Sequence, residues 1–348
     1  MNKVAIVYLG KRGGGASIFR DLAHLFVNEG LFVFLVFSRR LENEYEYSAP
    51  NQSHEFKIPE PNYNLGLLFR IFSLPFFGFL IGFKLKRAGV TFAVFPMASP
   101  FDAIVQRIFK WFGIYTVRII HDDAPHLGDR WPTRRKISNL VTGADFLCFL
   151  SGYVARKFSF RKGIVCEFPP IYRKSSRKYE KLYDVCVVGR GSEYKGLEIF
   201  KQIVLETKSR NWKYLIAGGI ADLFDMEGAT NVIAKPGWLS EELLHDLISS
   251  SKVLLLPYRE ATQSGLIPIA KLSNTVVVAT PVGGLVEQVS DYKYSVLSQE
   301  ITSSSLIEAL EQAFEGRFDV DKKSIERPSI YDALVIFEES IADKAGGP

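Results

Sequence analysis

Val188-Gly189-Arg190-Gly191-Ser192-Glu193-Tyr194-Lys195-Gly196 is the stretch on which the reading of this chain turns. Tyr183 to Val188, at its start, is a short apolar run that reads as a buried strand. Leu197 to Lys208, beyond its end, has the apolar spacing of a helix. Gly189 and Gly191 let the backbone come close to a ligand. Arg190 and Lys195 then stand at the entrance of the helix, where free N–H groups and the positive end of the dipole already favour an anion. Strand, glycine turn and helix carrying two cations describe a phosphate site in an α/β domain. They equally describe a tight turn with two solvated bases, and the rest of the chain separates these readings.

Working outward, apolar strand-like runs alternate with amphipathic windows, a pattern that argues for parallel sheets covered by helices. The pattern occurs twice. In the first half the strands fall near Val4–Leu9, Phe32–Phe37, Thr91–Phe95, Tyr115–His121 and Phe146–Leu150, with helices at Ile18–Asn28 and Ala103–Phe112. In the second they fall near Val185–Val188, Tyr214–Ala217, Val232–Ala234, Val253–Leu256 and Val276–Ala279, with helices at Leu197–Lys208, Ser240–Ser249 and Ser304–Phe314. Phe168-Pro169-Pro170 followed by Arg173-Lys174-Ser175-Ser176-Arg177-Lys178 reads as the linker. The expected organisation is therefore two Rossmann-like domains, residues 1–170 and 171–327. Residues 328–348 form a final helical segment that crosses back to the first domain. Open parallel sheets bind ligands at the carboxyl ends of their strands, so two such domains would share a cleft.

Composition narrows the class. The chain has 348 residues, 47% of them hydrophobic, enough for two globular cores. Cys148, Cys166 and Cys186 are too few and too scattered for a disulfide framework or a zinc site, and point to a reducing compartment. The first apolar run, Val4–Leu9, is too short for a signal peptide, so a cytoplasmic location is expected. The net charge of +5 is divided unevenly. Residues 1–174 carry 24 Lys and Arg against 13 Asp and Glu, and residues 175–348 carry 19 against 25. The basic half faces something negative. Arg134-Arg135-Lys136 beside Trp131 lacks any helix-turn-helix, RNP or zinc pattern, which argues against nucleic acid. An anionic membrane surface fits better.

Leu65 to Phe83 supports that choice: it is almost wholly apolar and is followed by Lys84, Lys86 and Arg87. A spanning helix needs about 20 apolar residues. Arg70, Pro75, Gly78 and Gly82 interrupt this run. It reads either as a core helix or as a segment lying in the membrane interface, and one helix can serve both. The expectation is a peripheral contact through residues 65–87 at the inner face of the cell membrane.

The remaining loops repeat the logic of the first. Gly10-Lys11-Arg12-Gly13-Gly14-Gly15-Ala16-Ser17 follows the first strand but matches neither the dinucleotide fingerprint nor a P-loop. Its glycines, Gly14 and Gly15 among them, still admit a ligand, and Ser17 is placed to cap the helix. His121-Asp122-Asp123-Ala124-Pro125-His126 ends a strand. His121 there can bond a polar ligand or move a proton, or it can be a turn residue satisfied by the backbone; Asp122 and His126 flank it. No further cluster completes a metal set, so no metal is expected. Pro257-Tyr258-Arg259-Glu260-Ala261-Thr262-Gln263-Ser264-Gly265 and Thr280-Pro281-Val282-Gly283-Gly284-Leu285-Val286-Glu287 are two more glycine-bearing strand-to-helix loops in the second half. Three such loops would open on one edge of one sheet.

With these residues in view, the second half resembles the GT-B glycosyltransferases, and within them the large retaining family four, the glycosyl transferases group 1. The matching words are Gly189-Arg190 with Lys195-Gly196, Ile216-Ala217-Gly218-Gly219, Gly237-Trp238-Leu239-Ser240-Glu241-Glu242-Leu243, the Pro257 loop, and Val278 to Glu287. The first half matches more weakly through Gly13 to Gly15, His121 and Ser151. The resemblance implies a nucleotide-diphosphate sugar as donor, held by Arg190 and Lys195, which neutralise the leaving group in place of a metal. It implies that Gly14 and Gly15 touch phosphate or acceptor, and that His121 meets the transferred sugar. Gly237 and Trp238 would lie around the base, and Gly218 would belong to the same donor site. Gln263, Ser264 and Gly265, with Gly283 and Gly284, would offer donors, and Glu287 would lie near the ribose.

One departure stands out. The family carries two glutamates eight positions apart around this loop. Here Glu260 is followed at that distance by Pro268. The Gln-Ser-Gly loop resembles a subgroup lacking the usual Glu-Gly-Phe-Gly, and Glu287 is the substitute for the ribose contact. The function implied is transfer of a sugar to a glycan or lipid-linked glycan acceptor, of the kind used in bacterial surface polysaccharide synthesis, with retention and without a cofactor. Two alternatives stay open: a sugar-nucleotide epimerase of the same architecture, and a non-catalytic module or partner subunit that kept the phosphate cradle.

Overall fold

Apolar runs that are hydrophobic on both faces cannot lie at a surface, and in the computed structural model they form the centres of two wholly parallel sheets. The structure describes residues 1–10, 14–39, 41, 50–59, 66–99, 101–124, 143–158, 163–169, 179–225, 228–318 and 326–345. His126, Trp131 and Arg134-Arg135-Lys136 lie outside the described residues, as do Lys11, Arg12, Gly13 and the linker stretch 173–178.

The first unit comprises Met1–Pro125, Trp131–Tyr172 and Arg327–Pro348. Its elements are β1 (Lys3–Tyr8), α1 (Gly14–Asn28), β2 (Phe32–Ser38), β3 (Ser53–Ile58), α2 (Gly66–Arg87), β4 (Phe92–Phe95), α3 (Asp102–Trp111), β5 (Tyr115–Ile120), β6 (Phe146–Phe149), α4 (Gly152–Lys157) and β7 (Gly163–Val165). The sheet order is β3-β2-β1-β4-β5-β6-β7. Strands β3 and β7 are additions to the expected set. Ser53-His54-Glu55-Phe56-Lys57-Ile58 sits at the sheet edge with most of its side chains partly or fully exposed, so it carries no apolar run to betray it. Ser17 lies inside α1 rather than at its cap, because the helix begins earlier, at Gly14.

The second unit is centred on Arg173–Glu326. It runs β8 (Tyr183–Val188), a short turn of 3-10 helix (Glu193–Lys195), α5 (Leu197–Glu206), β9 (Tyr214–Ala217), β10 (Val232–Lys235), α6 (Glu241–Ser249), β11 (Ser251–Leu256), α7 (Leu266–Leu272), β12 (Val276–Ala279), α8 (Leu285–Ser290), β13 (Ser295–Leu297) and α9 (Ser303–Phe314). The sheet order is β10-β9-β8-β11-β12-β13. Residues of alternate parity build the two faces of this sheet. Cys186, Val188, Leu254 and Leu256 pack with α6, α7 and α8, whereas Val185, Val187, Val253 and Leu255 pack with α5 and α9.

The last helix, α10 (Ile330–Ala345), belongs to the first unit. Ser329 and Asp332 close its start reciprocally: the Asp332 N–H donates to Ser329 Oγ (3.1 Å), and the Ser329 N–H to Asp332 Oδ2 (2.9 Å). Ile330, Ala333, Leu334 and Phe337 join α1 on one face of the first sheet, and Phe337 stacks on Phe146 at 4.5 Å between ring centroids. The crossover read from the sequence is present in this helix.

Candidate active site

Both sheets reverse strand order beside their first strand, between β1 and β4 and between β8 and β11. At such a switch point the loops leaving neighbouring strands part and leave a crevice at the carboxyl edge. In the second unit the loop leaving β8 carries Gly189 to Gly196, and the loop leaving β11 carries Pro257 to Gly265. The two are joined there. The Arg259 N–H donates to the Tyr194 carbonyl (2.8 Å), and Gly196 adopts φ 71°, where any Cβ would run into the Pro257 carbonyl oxygen. The β9 loop closes on the same turn: the Ile220 N–H donates to the Gly189 carbonyl (3.1 Å), and a Cβ on Gly218, at φ 88°, would lie 2.5 Å from that oxygen. Glycine is required at 196 and 218 because backbone passes against backbone.

The two cations of this turn differ in setting. Arg190 is exposed. Lys195 is 8% exposed, with its amine folded back beneath Gly189. Its Nζ donates to Tyr258 Oη and lies over two aromatic faces, 3.9 Å from the Tyr258 centroid and 5.1 Å from that of Tyr194. Burial pushes its ammonium down to about 7 from the ordinary lysine value of 10.5, and the charge on Arg190 acts in the same direction. Burial likewise pushes the Tyr258 phenol up, against a hydrogen bond involving Ser264. Tyr258 therefore stays neutral, and it is the residue the sequence reading passed over. An aromatic residue on each loop flanking a site lysine was the available signal.

The Gln263-Ser264-Gly265 loop is held from below. Gln288 Oε1 accepts from the Ser264 N–H (2.6 Å), and Gln288 Nε2 donates to the Ser264 carbonyl (3.2 Å). The Gly284 N–H donates to the Ala261 carbonyl (2.9 Å), so the Pro257 and Gly283-Gly284 loops form one layer. Gln288, beside the Glu287 singled out from sequence, is buried; Glu287 and Glu260 are half-buried. Gly265 and Gly284 are the N-caps of α7 and α8. Trp238 is 52% exposed, and the Gly237 N–H donates to Asp222 Oδ1 (3.1 Å).

In the first unit Gly15 is buried at the start of α1, and a Cβ there would press on the Tyr8 ring at 2.7 Å. His121 stands at the end of β5, buried, with Nε2 donating to the Pro96 carbonyl (2.7 Å) at the end of β4. Burial holds this imidazole below the usual histidine value, with Asp122 and the Pro96 carbonyl pulling the other way, so its other ring nitrogen is an acceptor. A buried ion pair pins the same edge: Arg118 Nη1 meets Asp102 Oδ2 at 3.0 Å, and that carboxylate oxygen also accepts the Ser99 N–H (2.9 Å). Among the described residues no group of three or more His, Cys, Asp or Glu gathers to hold a metal ion.

Two doubly wound parallel units of this kind define the GT-B class. Residues 183–315 match the family model for glycosyl transferases group 1, which makes the second unit a domain of that family and the chain a glycosyltransferase. Among solved structures, the chain is similar to the sucrose-phosphate synthase from Thermosynechococcus elongatus (13% identity, TM-score 0.66, 90% of each chain covered). It is similar also to HepE from Anabaena in complex with UDP (14%, 0.64, 99% of this chain and 100% of that one). A third is the putative UDP-N-acetylglucosamine 2-epimerase from Listeria monocytogenes (9%, 0.62, 99% and 97%). At these identities the likeness is one of fold. No curated protein sequence matches the chain.

Proposed function

We propose that this glycosyltransferase moves a sugar from a nucleotide-diphosphate donor to a glycan or lipid-linked glycan acceptor, with retention of configuration and without a metal. The observation that carries the reading is the pairing of Arg190 with the buried Lys195 at the β8–β11 switch point. Departure of a nucleoside diphosphate leaves negative charge on its outer phosphate. The exposed Arg190 guanidinium and the buried Lys195, the latter in its protonated form, stabilise that charge more in the transition state than in the donor. Ser264 and the Gly283-Gly284 loop are assigned to the donor on the same edge, and Glu287 to the ribose. From the first unit, His121 is assigned to the transferred sugar as a neutral imidazole, with Gly14, Gly15 and Asp122 on the acceptor side.

The acceptor reading rests on α2. Phe76, Phe79 and Phe83 are 61%, 43% and 47% exposed, and Trp111 at the end of α3, 76% exposed, lies 5.7 Å from Phe79 between ring centroids. Lys84, Lys86 and Arg87 close the helix. Aromatic rings beside a basic end fit the headgroup layer of an anionic bilayer, at the inner face of the cell membrane. No described helix is long and apolar enough to cross a membrane.

The test is a screen of UDP-, GDP-, dTDP- and CMP-sugars for thermal stabilisation, followed by turnover of the donor that binds. Arg190→Ala is expected to lower turnover at least about a hundredfold, the scale of losing one charge-stabilising donor. Unchanged turnover would remove Arg190 from the site. Epimerised sugar nucleotide formed without acceptor would replace transfer by the epimerase reading, which the Listeria likeness keeps in view.

A further inference from the structure

Lys195 is a buried lysine with no described carboxylate within ion-pair distance of its Nζ. The titratable groups facing it are Arg190 from the Gly189–Gly191 turn, Tyr194 from its own turn and Tyr258 from the β11 loop. None of them offers a negative charge near neutrality. Two tyrosine faces and one phenolic oxygen set where the amine lies, but they replace little of the hydration a full ammonium loses on burial. Tyr258 is fixed in turn. Its carbonyl accepts from Thr280 Oγ1 (2.6 Å), and its hydroxyl interacts with Ser264 on the doubly held Gln288 layer.

We propose that Lys195 is a proton-coupled grip, buried between Tyr194 and Tyr258 without a counter-charge and taking a proton from solvent as an anionic diphosphate binds, with Tyr258 as its positioning residue. The inference rests on the reading of Arg190 and Lys195 as the diphosphate site. The step balances as one amine plus one proton giving one ammonium, the proton coming from water or buffer.

The sign follows from the geometry. An incoming diphosphate supplies the counter-charge that the box lacks, so the bound form holds the proton more tightly than the free form. Donor affinity is then highest below about pH 7 and weakens as the pH rises through that value. Between about pH 6 and about pH 8 the weakening is about tenfold. Stability of the free chain runs the opposite way. An unfolded lysine titrates near 10.5, so the native chain holds fewer protons from about 7 up to that value, and its stability rises with pH across that window.

The first measurement is NMR of the free chain labelled at lysine 13Cε, with the Lys195 resonance assigned by its loss in Lys195→Arg. A midpoint at about 7 is expected; one above about 9 overturns the proposal. Tyr258→Phe keeps the ring and loses the hydroxyl, so it should move the midpoint further down. An unmoved midpoint removes Tyr258 as the positioning residue. The second measurement is calorimetry with UDP-glucose, or GDP-mannose in its stead, whose diphosphate diesters have no proton to release in this range. Uptake on the order of one proton per site is expected at about pH 8, and Lys195→Arg should flatten both the uptake and the pH dependence of affinity. A pH-independent affinity that still falls in Arg190→Ala overturns the coupling and leaves the diphosphate site standing. Affinity unchanged by Arg190→Ala overturns the site itself, and a Lys195 resonance that neither probe moves overturns the coupling.

Discussion

At the scale of single residues, the site depends on backbone positions as much as on charge. Gly196 holds φ 71° with the Pro257 carbonyl directly where a Cβ would go, and that contact joins the turn bearing Lys195 to the loop bearing Tyr258. Gly196→Ala is expected to destabilise the second unit by about 2 kcal/mol, from the left-handed backbone and the clash together. The thermal midpoint of that unit and its affinity for a nucleotide sugar should fall together. An Ala variant with both unchanged would mean that the two loops are not held as described. The chemistry of this turn was legible in Gly189-Arg190 and Lys195-Gly196. Which of the two cations is buried was not, because burial of Lys195 comes from Tyr258, 63 residues further along the chain.

Elements show the same division. The central strands announced themselves as apolar runs, whereas edge strand β3 did not, since only a strand with two covered faces needs apolar residues throughout. In α2 the sequence admitted both a core helix and an interfacial one; the structure gives the helix a core face and leaves aromatic side chains exposed on the other. Leu74, Ile81 and Leu85 are buried against the first sheet, and Phe76, Phe79, Leu80 and Phe83 point away from it. Replacing Phe76, Phe79 and Phe83 by Ser should leave the fold and soluble-donor turnover intact. Binding to vesicles of phosphatidylglycerol and phosphatidylethanolamine, followed by flotation, should drop at least about tenfold, since each ring removed takes about 1.5 kcal/mol or more of burial with it. Undiminished flotation would sink the membrane contact.

On the scale of the whole molecule, the chain returns to its first unit through α10. Phe337 is 8% exposed, stacks on Phe146 and lies 5.8 Å from both Phe92 and Tyr115, so three strands share one ring. Phe337→Ala should cost the first unit about 3 kcal/mol through lost burial and the cavity left behind. Differential scanning calorimetry should show one transition lowered by several degrees, with nucleotide-sugar affinity of the second unit retained. If that transition does not move, α10 contributes little to the first core.

Periodicity and residue type in the chain were enough for two parallel α/β units, a returning helix and a cationic glycine turn at a strand end, because these follow from interactions between near neighbours and from the need to bury apolar runs. Folding had to add what depends on distant partners. Tyr258 and Gln288 became supports of the site only when the β11 loop and α8 met the β8 turn. The lowered proton affinity of Lys195 exists only in that assembly, because desolvation belongs to the packed environment and not to the residue.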